Sequence, residues 1–221
     1  HFKAMLAAFE ASEYTHKRIR HAMDMGIRHG MVFVRKQPNL LYNAMLHPVI
    51  PYACRGIVWY QGEANADKPE EYARSLPAWI RQLRREWGRE DLHLLAVMLP
   101  GYGEDDGHPE SKSWAPFRQA QLQVRELPHT SVVNTIDLGD AKDIHPPDKA
   151  PICERLALLA RRDVHGEAVP ARGPILKDAS VDGAEMTLQF DHADGLRTRD
   201  GQPPRGFWLA DAQGEWHRAE A

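Results

Sequence analysis

Cysteine is scarce in this chain, with only Cys54 and Cys153 present. Two thiols without metal-ligand spacing exclude a disulfide scaffold and a cysteine-based metal centre. Their apolar neighbourhoods predict two buried thiols packed as small hydrophobes rather than a nucleophile or redox pair. Long apolar runs are also missing. None approaches the ~20 residues that a membrane-spanning helix needs, and the first residues carry neither a secretory signal pattern nor a start methionine. His1 therefore reads as a position inside a longer protein. Charge of one sign is lacking too, since 28 basic and 31 acidic residues leave a formal net charge of -3. That balance removes the electrostatic reason to expect nucleic acid or an anionic membrane as partner, and favours neutral or weakly charged ligands.

What the chain does have is core material. Its 221 residues are 43% hydrophobic, enough for one good-sized domain or one and a half. Phe2, Met5, Leu6, Phe9, Ile19 and Met23 predict a helix over residues 2 to 25 with a solvated basic face, an accessory excursion. His16, His21 and His29 in and after it lack the three- or four-residue spacing that sets two ligands side by side. A weak strand follows at Met31 to Val34, a loop at Gln37 to Asn39, and a short helix from Leu40 to Leu46 stopped by Pro48 and Pro51.

The pattern then becomes regular. Ile57 to Tyr60 is a β-branched and aromatic run of the kind that fits a strand buried on both faces of a parallel sheet. A helix follows, with Asp67 as N-cap, Pro69 in the first turn and Glu70 three residues after the cap. Tyr72, Leu76, Trp79, Ile80, Leu83 and Trp87 line one face of it, and it is expected to kink at Pro77 and end at Gly88. Leu92 to Leu99 reads as a second strand, Trp114 to Leu127 as a helix, Ser131 to Ile136 as a third strand, and Lys149 to Val164 as an amphipathic helix closed at Gly166. Strand and helix alternating at this spacing predict an α/β fold with a doubly wound parallel sheet. After Gly173 the pattern turns antiparallel. Met186, Leu188 and Phe190 alternate with polar residues, Gly206 to Ala210 is a short strand, and residues 211–214 form a hairpin turn before Glu215-Trp216-His217. About fifty residues of this kind are too few to be stable alone, and read as the start of an antiparallel β domain.

Three polar segments leave the carboxyl ends of the strands: Gln61-Gly62-Glu63, Gly101 to Ser113, and Asp137 to Pro147. In open α/β sheets that edge is where ligands bind. Within the third segment His145 lies among carboxylates, and an imidazole with an ordinary pKa of about 6.5 is suited to general-base work near neutrality. Asp143, two residues away, points to the same side of an extended segment and is suited to orient it. The competing structural role for His145 is to cap the helix that starts near Asp148.

Gly-Ile-Val-Trp-Tyr-Gln-Gly-Glu-Ala-Asn-Ala at 56–66, Asp-Ala-Lys-Asp-Ile-His-Pro at 140–146 and the Arg155-Leu-Ala helix together resemble the sialate O-acetylesterase family of SGNH-type hydrolases. Leu41-Tyr42-Asn43 and Ile50-Pro51-Tyr52-Ala53 look like the family's lead-in, and Gly206-Phe207 like its C-terminal β domain. The resemblance covers roughly residues 39 to 221. It divides the chain into a helical accessory insertion at 1–38, a partial SGNH-type hydrolase domain at 39–170 and an incomplete C-terminal β domain at 171–221. It implies hydrolysis of an acetyl ester on a sugar, sialic acid or a plant or bacterial polysaccharide, without cofactor or metal, in a periplasmic or extracellular setting. A serine attacks, His145 is its base with Asp143 as orienting carboxylate, and Gln61 and Gly62 serve the oxyanion and substrate. Glu63 is acceptor-only when ionised, which suits it to organise neighbouring loops rather than to hold an oxyanion.

The sequence departs from the family pattern in three ways. Ala64 stands where the family usually has serine. Lys142 stands three residues before His145, where SGNH hydrolases often carry an aspartate, which leaves Asp143, Asp140 or a backbone carbonyl as the orienting group. The family's Gly-Gln-Ser-Asn nucleophile motif is missing from the 221 residues, so the sheet is expected to lack its first strand and the fragment to be catalytically incomplete. Two other functions fit parts of the pattern: a glycoside hydrolase using Glu63 and Asp143 as its carboxylate pair, and a non-catalytic carbohydrate-binding protein.

Overall fold

The computed structural model describes residues 40–50, 52–103, 107–110 and 114–221. The expected N-terminal helix, its three histidines, the 31–34 strand and the 37–39 loop lie outside the described residues. The chain divides into two compact units, residues 1–52 and 53–221. In the first, a π-helical turn at Tyr42–Leu46 runs into a 3-10 turn at His47–Val49. The expected short helix thus ends at Leu46, and Pro48 lies inside the 3-10 turn that follows. A proline has no N–H to give, and the first positions of a helix ask for none.

The second unit holds a three-stranded parallel sheet in the order β1 (Gly56–Trp59), β2 (His93–Val97), β3 (Thr130–Val133). Registers run from Gly56 opposite His93 to Trp59 opposite Ala96, and from Leu94 opposite Thr130 to Val97 opposite Val133. Helix α1 (Pro69–Trp87) connects β1 to β2, α2 (Ala115–Leu122) connects β2 to β3, and α3 (Ala150–Leu159) follows β3. Leu95, Val97 and Val133 form one core cluster with Ile152 and Leu159 of α3. Successive strand residues point to opposite faces, so Leu94 and Ala96 belong to the other face, that of α1 and α2. With helices on both faces, the doubly wound α/β architecture is present.

Each helix buries the stripe its sequence dictates. α1 buries Tyr72, Leu76, Ile80 and Leu83, spaced four, four and three. It runs unbroken through Pro77 and stops at Gly88, which takes φ 62° in the left-handed region where a glycine costs least. The expected Asp67 cap is not used. Residues 63–65 make their own 3-10 turn, the helix starts at Pro69, and Lys68 is its N-cap without a side-chain hydrogen bond. α2 is continued by a 3-10 turn at Gln123–Glu126, and α3 by a π-helical turn at Ala160–Val164 that ends at Gly166, φ 72°.

Four other expectations are corrected. β2 is buried throughout, but β1 is an edge strand among the described residues, and Val58 is 54% exposed. An apolar run reports that a strand is buried somewhere, not where it falls in the order of a sheet. The third strand ends at Val133, and Ile136 sits exposed in a 3-10 turn. Cys153 is exposed and Cys54 half-buried, both as free thiols. The antiparallel part gains a strand, β4 (Ile175–Asp182), paired with β5 (Glu185–Asp191). β6 (Trp208–Ala210) pairs with β7 (Trp216–Arg218) as anticipated.

The amino edge of the sheet is closed by polar side chains. Buried Arg84 donates to the Leu92, Pro128 and His129 carbonyls at 3.1, 2.8 and 2.9 Å and to Thr130 Oγ1 at 3.1 Å. Ser131 donates to Asp163 at 2.6 Å and lies 3.0 Å from His93 Nε2. Truncating a side chain that fills the α1 interface tests the core directly. Ile80 is 1% exposed, so Ile80→Ala is expected to cost about 2–5 kcal/mol, read as a lowered urea midpoint with an unchanged slope.

Candidate active site

The carboxyl edge is built from the strand ends outward. After Trp59 the chain leaves the sheet at Tyr60, and Gln61 is seized on several sides. Its Nε2 donates to Asn65 Oδ1 at 2.8 Å, and the Tyr72 hydroxyl lies 3.1 Å from its Oε1 and 3.2 Å from its backbone oxygen. An amide nitrogen carries two N–H groups; the second on Gln61 has no partner among the described residues. Gly62 is buried, and a Cβ there would stand 2.5 Å from a ring carbon of Phe117, a ring buried without exposure. Only a residue without a side chain lets this backbone lie on that ring. The Gly62 N–H is engaged, donating to Glu63 Oε2 at 3.0 Å. Glu63 also acts at longer range: burial first, and its negative charge second, raise the pKa of the Tyr60 phenol.

The other loops meet this one. Gly103 N–H donates to the Ala141 carbonyl at 3.1 Å, and a Cβ on Gly139 would stand 1.7 Å from the Gly101 carbonyl oxygen. The loops after β2 and β3 therefore touch backbone to backbone. Lys149, just ahead of α3, lies over the Tyr60 ring at 4.9 Å from its centroid, a cation–π contact that ties the third loop back to β1. Thr135 Oγ1 donates to the Met98 carbonyl, joining the ends of β2 and β3.

The loop from Gly139 to Asp148 is shaped by its own aspartates. Asp140 Oδ1 accepts the Lys142 N–H at 2.7 Å and the Asp143 N–H at 3.3 Å, and Asp143 Oδ1 accepts the His145 N–H at 2.8 Å. These are Asx turns, in which a short side chain stands in for a backbone acceptor. Pro146 is buried and anchors the turn, while the His145 side chain stays exposed. Asp143 thus meets His145 through the backbone N–H. α3 has no side-chain cap, so the imidazole does not serve that purpose. The base of the loop is held by Arg155, whose guanidinium pairs with both Asp137 oxygens at 2.7 and 2.8 Å and donates to the Asn134 carbonyl at 2.7 Å. Arg199, from the segment after β5, adds a contact to Asp137 at 3.2 Å.

A model of the carbohydrate esterases of the sialic acid-specific acetylesterase type matches residues 30–155. The chain belongs to that family. Among curated relatives, mouse (Mus musculus) sialate O-acetylesterase is 28% identical over 198 residues, covering 80% of the chain and 36% of the mouse protein. The human (Homo sapiens) sialate O-acetylesterase is 30% identical over 145 residues, 58% of the chain and 28% of the human protein. In structure the chain is similar to a carbohydrate acetylesterase from Xanthomonas citri, with TM-score 0.77 and 37% identity over 90% of this chain and 46% of that one. The chain thus spans about a third of the length of the curated relatives and about half of the solved one.

Two groups of this candidate site escaped the sequence reading: the Tyr72 hydroxyl and Gln121. Gln121 is 2% exposed; its Oε1 accepts the Leu99 N–H at 2.8 Å and its Nε2 donates to the Gln61 and Val97 carbonyls, both at 3.3 Å. The signal was available. Phe117, Ala120, Gln121 and Val124 are one buried stripe, and a glutamine in such a stripe demands polar partners.

Asp137 gives the site a pH signature. The Arg155 hydrogen bonds, above all, pull its pKa from 3.8 to about 2. A carboxyl depressed in the folded state stabilises above its unfolded pKa, and that contribution disappears as pH falls through the folded value. Stability measured from pH 4 down to about 2 is expected to fall more steeply in the unaltered protein than in Asp137→Asn. Separately, Gly139→Ala forces a Cβ into the Gly101 backbone and is expected to lower stability by about 1–3 kcal/mol, read in a urea titration; Gly173→Ala, with open space around it, serves as control.

Proposed function

We propose that the protein carrying this chain is a serine carbohydrate O-acetylesterase acting on an O-acetylated sugar, sialic acid or an acetylated polysaccharide. In this reading it follows the SGNH pattern, with the division at residues 38 and 170, and works in the periplasm or outside the cell. The observation that carries the reading is Gln61: a half-buried amide at the carboxyl end of β1, held at Nε2 and Oε1, with one N–H uncommitted among the described residues. A preorganised neutral donor of that kind stabilises an alkoxide that develops in the transition state, because no reorganisation is needed when the charge appears. Membership of the acetylesterase family supports the same chemistry.

The mechanism assigns each group one task. A serine oxygen attacks the acetyl carbonyl and passes its proton to the His145 imidazole; the carbonyl oxygen becomes the oxyanion that the Gln61 N–H receives. Collapse expels the sugar hydroxyl, which takes the proton from His145, and water then repeats the sequence on the acetyl-serine to release acetate. Asp143 shapes the His145 loop through the His145 N–H, and Glu63 holds the Gly62 N–H. The described serines are spoken for elsewhere: Ser131 is buried at the amino edge against Asp163, Ser75 lies on α1 and Ser180 in β4. The attacking serine belongs, in this reading, to the remainder of the protein.

The full-length protein should release acetate from a small aryl acetate. His145→Ala is expected to remove nearly all of that turnover, and an unchanged rate would sink the base assignment. Gln61→Ala is expected to lower kcat about a hundred- to a thousandfold while KM stays within a few fold; a rise in KM alone would mean that Gln61 only binds substrate.

A further inference from the structure

We infer that Gln121 is a positioning residue that fixes which end of the Gln61 amide faces the substrate, acting through the single hydroxyl proton of Tyr72. The inference rests on the esterase reading above.

A phenol has one proton to donate. Tyr72 has two acceptors within reach, Gln61 O at 3.2 Å and Gln61 Oε1 at 3.1 Å, and receives the Trp59 Nε1–H at 3.3 Å. If the proton went to the backbone oxygen, nothing among the described residues would donate to Oε1. The amide could then turn over, exchanging a donor for an acceptor in front of the developing oxyanion. Gln121 tilts that competition, because one of its two N–H groups already serves Gln61 O at 3.3 Å, so a second donor gains less at that carbonyl than at Oε1, to which no other described group donates. Its second N–H serves Val97 O and its oxygen accepts Leu99 N–H, so the Gln121 amide is itself locked in one orientation. The Tyr72 proton is then favoured at Oε1, which sets Gln61 Nε2 toward Asn65 and the open side. Phe117 completes the cradle: it lies 4.5 Å from the Tyr72 ring, centroid to centroid, and bears on Gly62. The side chains of α1 and α2 thus aim a donor that lies just past the carboxyl end of β1.

The test is kinetic and uses the full-length protein with a small aryl acetate. Gln121→Met keeps the volume and removes the donors. It is expected to lower kcat about tenfold with KM little changed. Tyr72→Phe keeps the ring against Phe117, removes only the hydroxyl, and is expected to do the same. Both penalties should largely vanish when Gln61 is already alanine, since both residues act through that amide. Thermal unfolding of each variant checks that it folds, and Tyr72→Phe carries the test if Gln121→Met does not. Penalties that persist in full in the Gln61→Ala background would overturn the inference while leaving the esterase reading intact. No turnover by the unaltered protein would overturn both.

Discussion

The backbone carbonyls at the carboxyl ends of β1 and β2 are the constraint on which the rest of the molecule turns. Where a parallel strand ends inside a protein, its last polar groups lose their ladder partners and still require hydrogen bonds. The oxygens of Gln61 and Val97 and the N–H of Leu99 are in that position, and one buried amide, Gln121, satisfies all three. A buried acceptor left unmet costs on the order of 1–3 kcal/mol. The position of α2 is therefore set by polar matching as well as by the apolar contacts of Phe117, Ala120 and Val124. Arg118 extends the pattern by donating to the Leu99 and Pro100 carbonyls at 2.9 Å each.

This polar matching ties stability to function. The Tyr72 hydroxyl links the two, since it lies within hydrogen-bond reach of the Gln61 backbone oxygen and of its Oε1, and Asn65 holds the other end of that side chain. The Gly62 approach to Phe117 and the Gly101–Gly139 contact work the same way, since both bring loops closer than any side chain would permit. Gln61, the proposed donor, is thus held by side chains of rigid helices, and the more exposed Asx-turned loop carries His145. At the opposite edge Arg84 and the His93–Ser131–Asp163 chain seal the strand beginnings with equally well-paired groups, and burial lowers the His93 pKa there. A serine beside a histidine and an aspartate is not a nucleophile in that arrangement. Ser131 lies between its two partners, buried, donating to Asp163 rather than to the imidazole.

Much of this was legible in the residues. The run at 92–99 read as a buried strand and became β2, and the stripe Tyr72-Leu76-Ile80-Leu83 became the inner face of α1. The 56–66 and 140–146 motifs led to the family. Elsewhere local signals were outweighed. Asp67 looks like a cap, but the 3-10 turn at 63–65 takes up the chain ahead of it and moves the helix start to Pro69. β4 was missed because Ile175 to Asp182 is mostly solvent-facing and interleaves Lys177, Asp178 and Ser180 with its apolar residues; the Gly183-Ala184 turn, with Gly183 at φ 58°, was its better marker. Sheet order, and with it the exposure of Val58, depends on pairing partners that no short segment specifies. The role of Gln121 depends on groups from three elements brought together only by folding.

The central claim is that the Gln61 amide is the donor aimed at the reacting oxygen. The most direct measurement is a crystal structure of the full-length protein after reaction with an organophosphate such as diethyl p-nitrophenyl phosphate, whose phosphoryl oxygen on the serine mimics the tetrahedral oxyanion. The account predicts that oxygen within about 2.7–3.1 Å of Gln61 Nε2, with the amide still held by Asn65 and Tyr72. An adduct whose oxygen points away from Gln61, toward other donors, would contradict it.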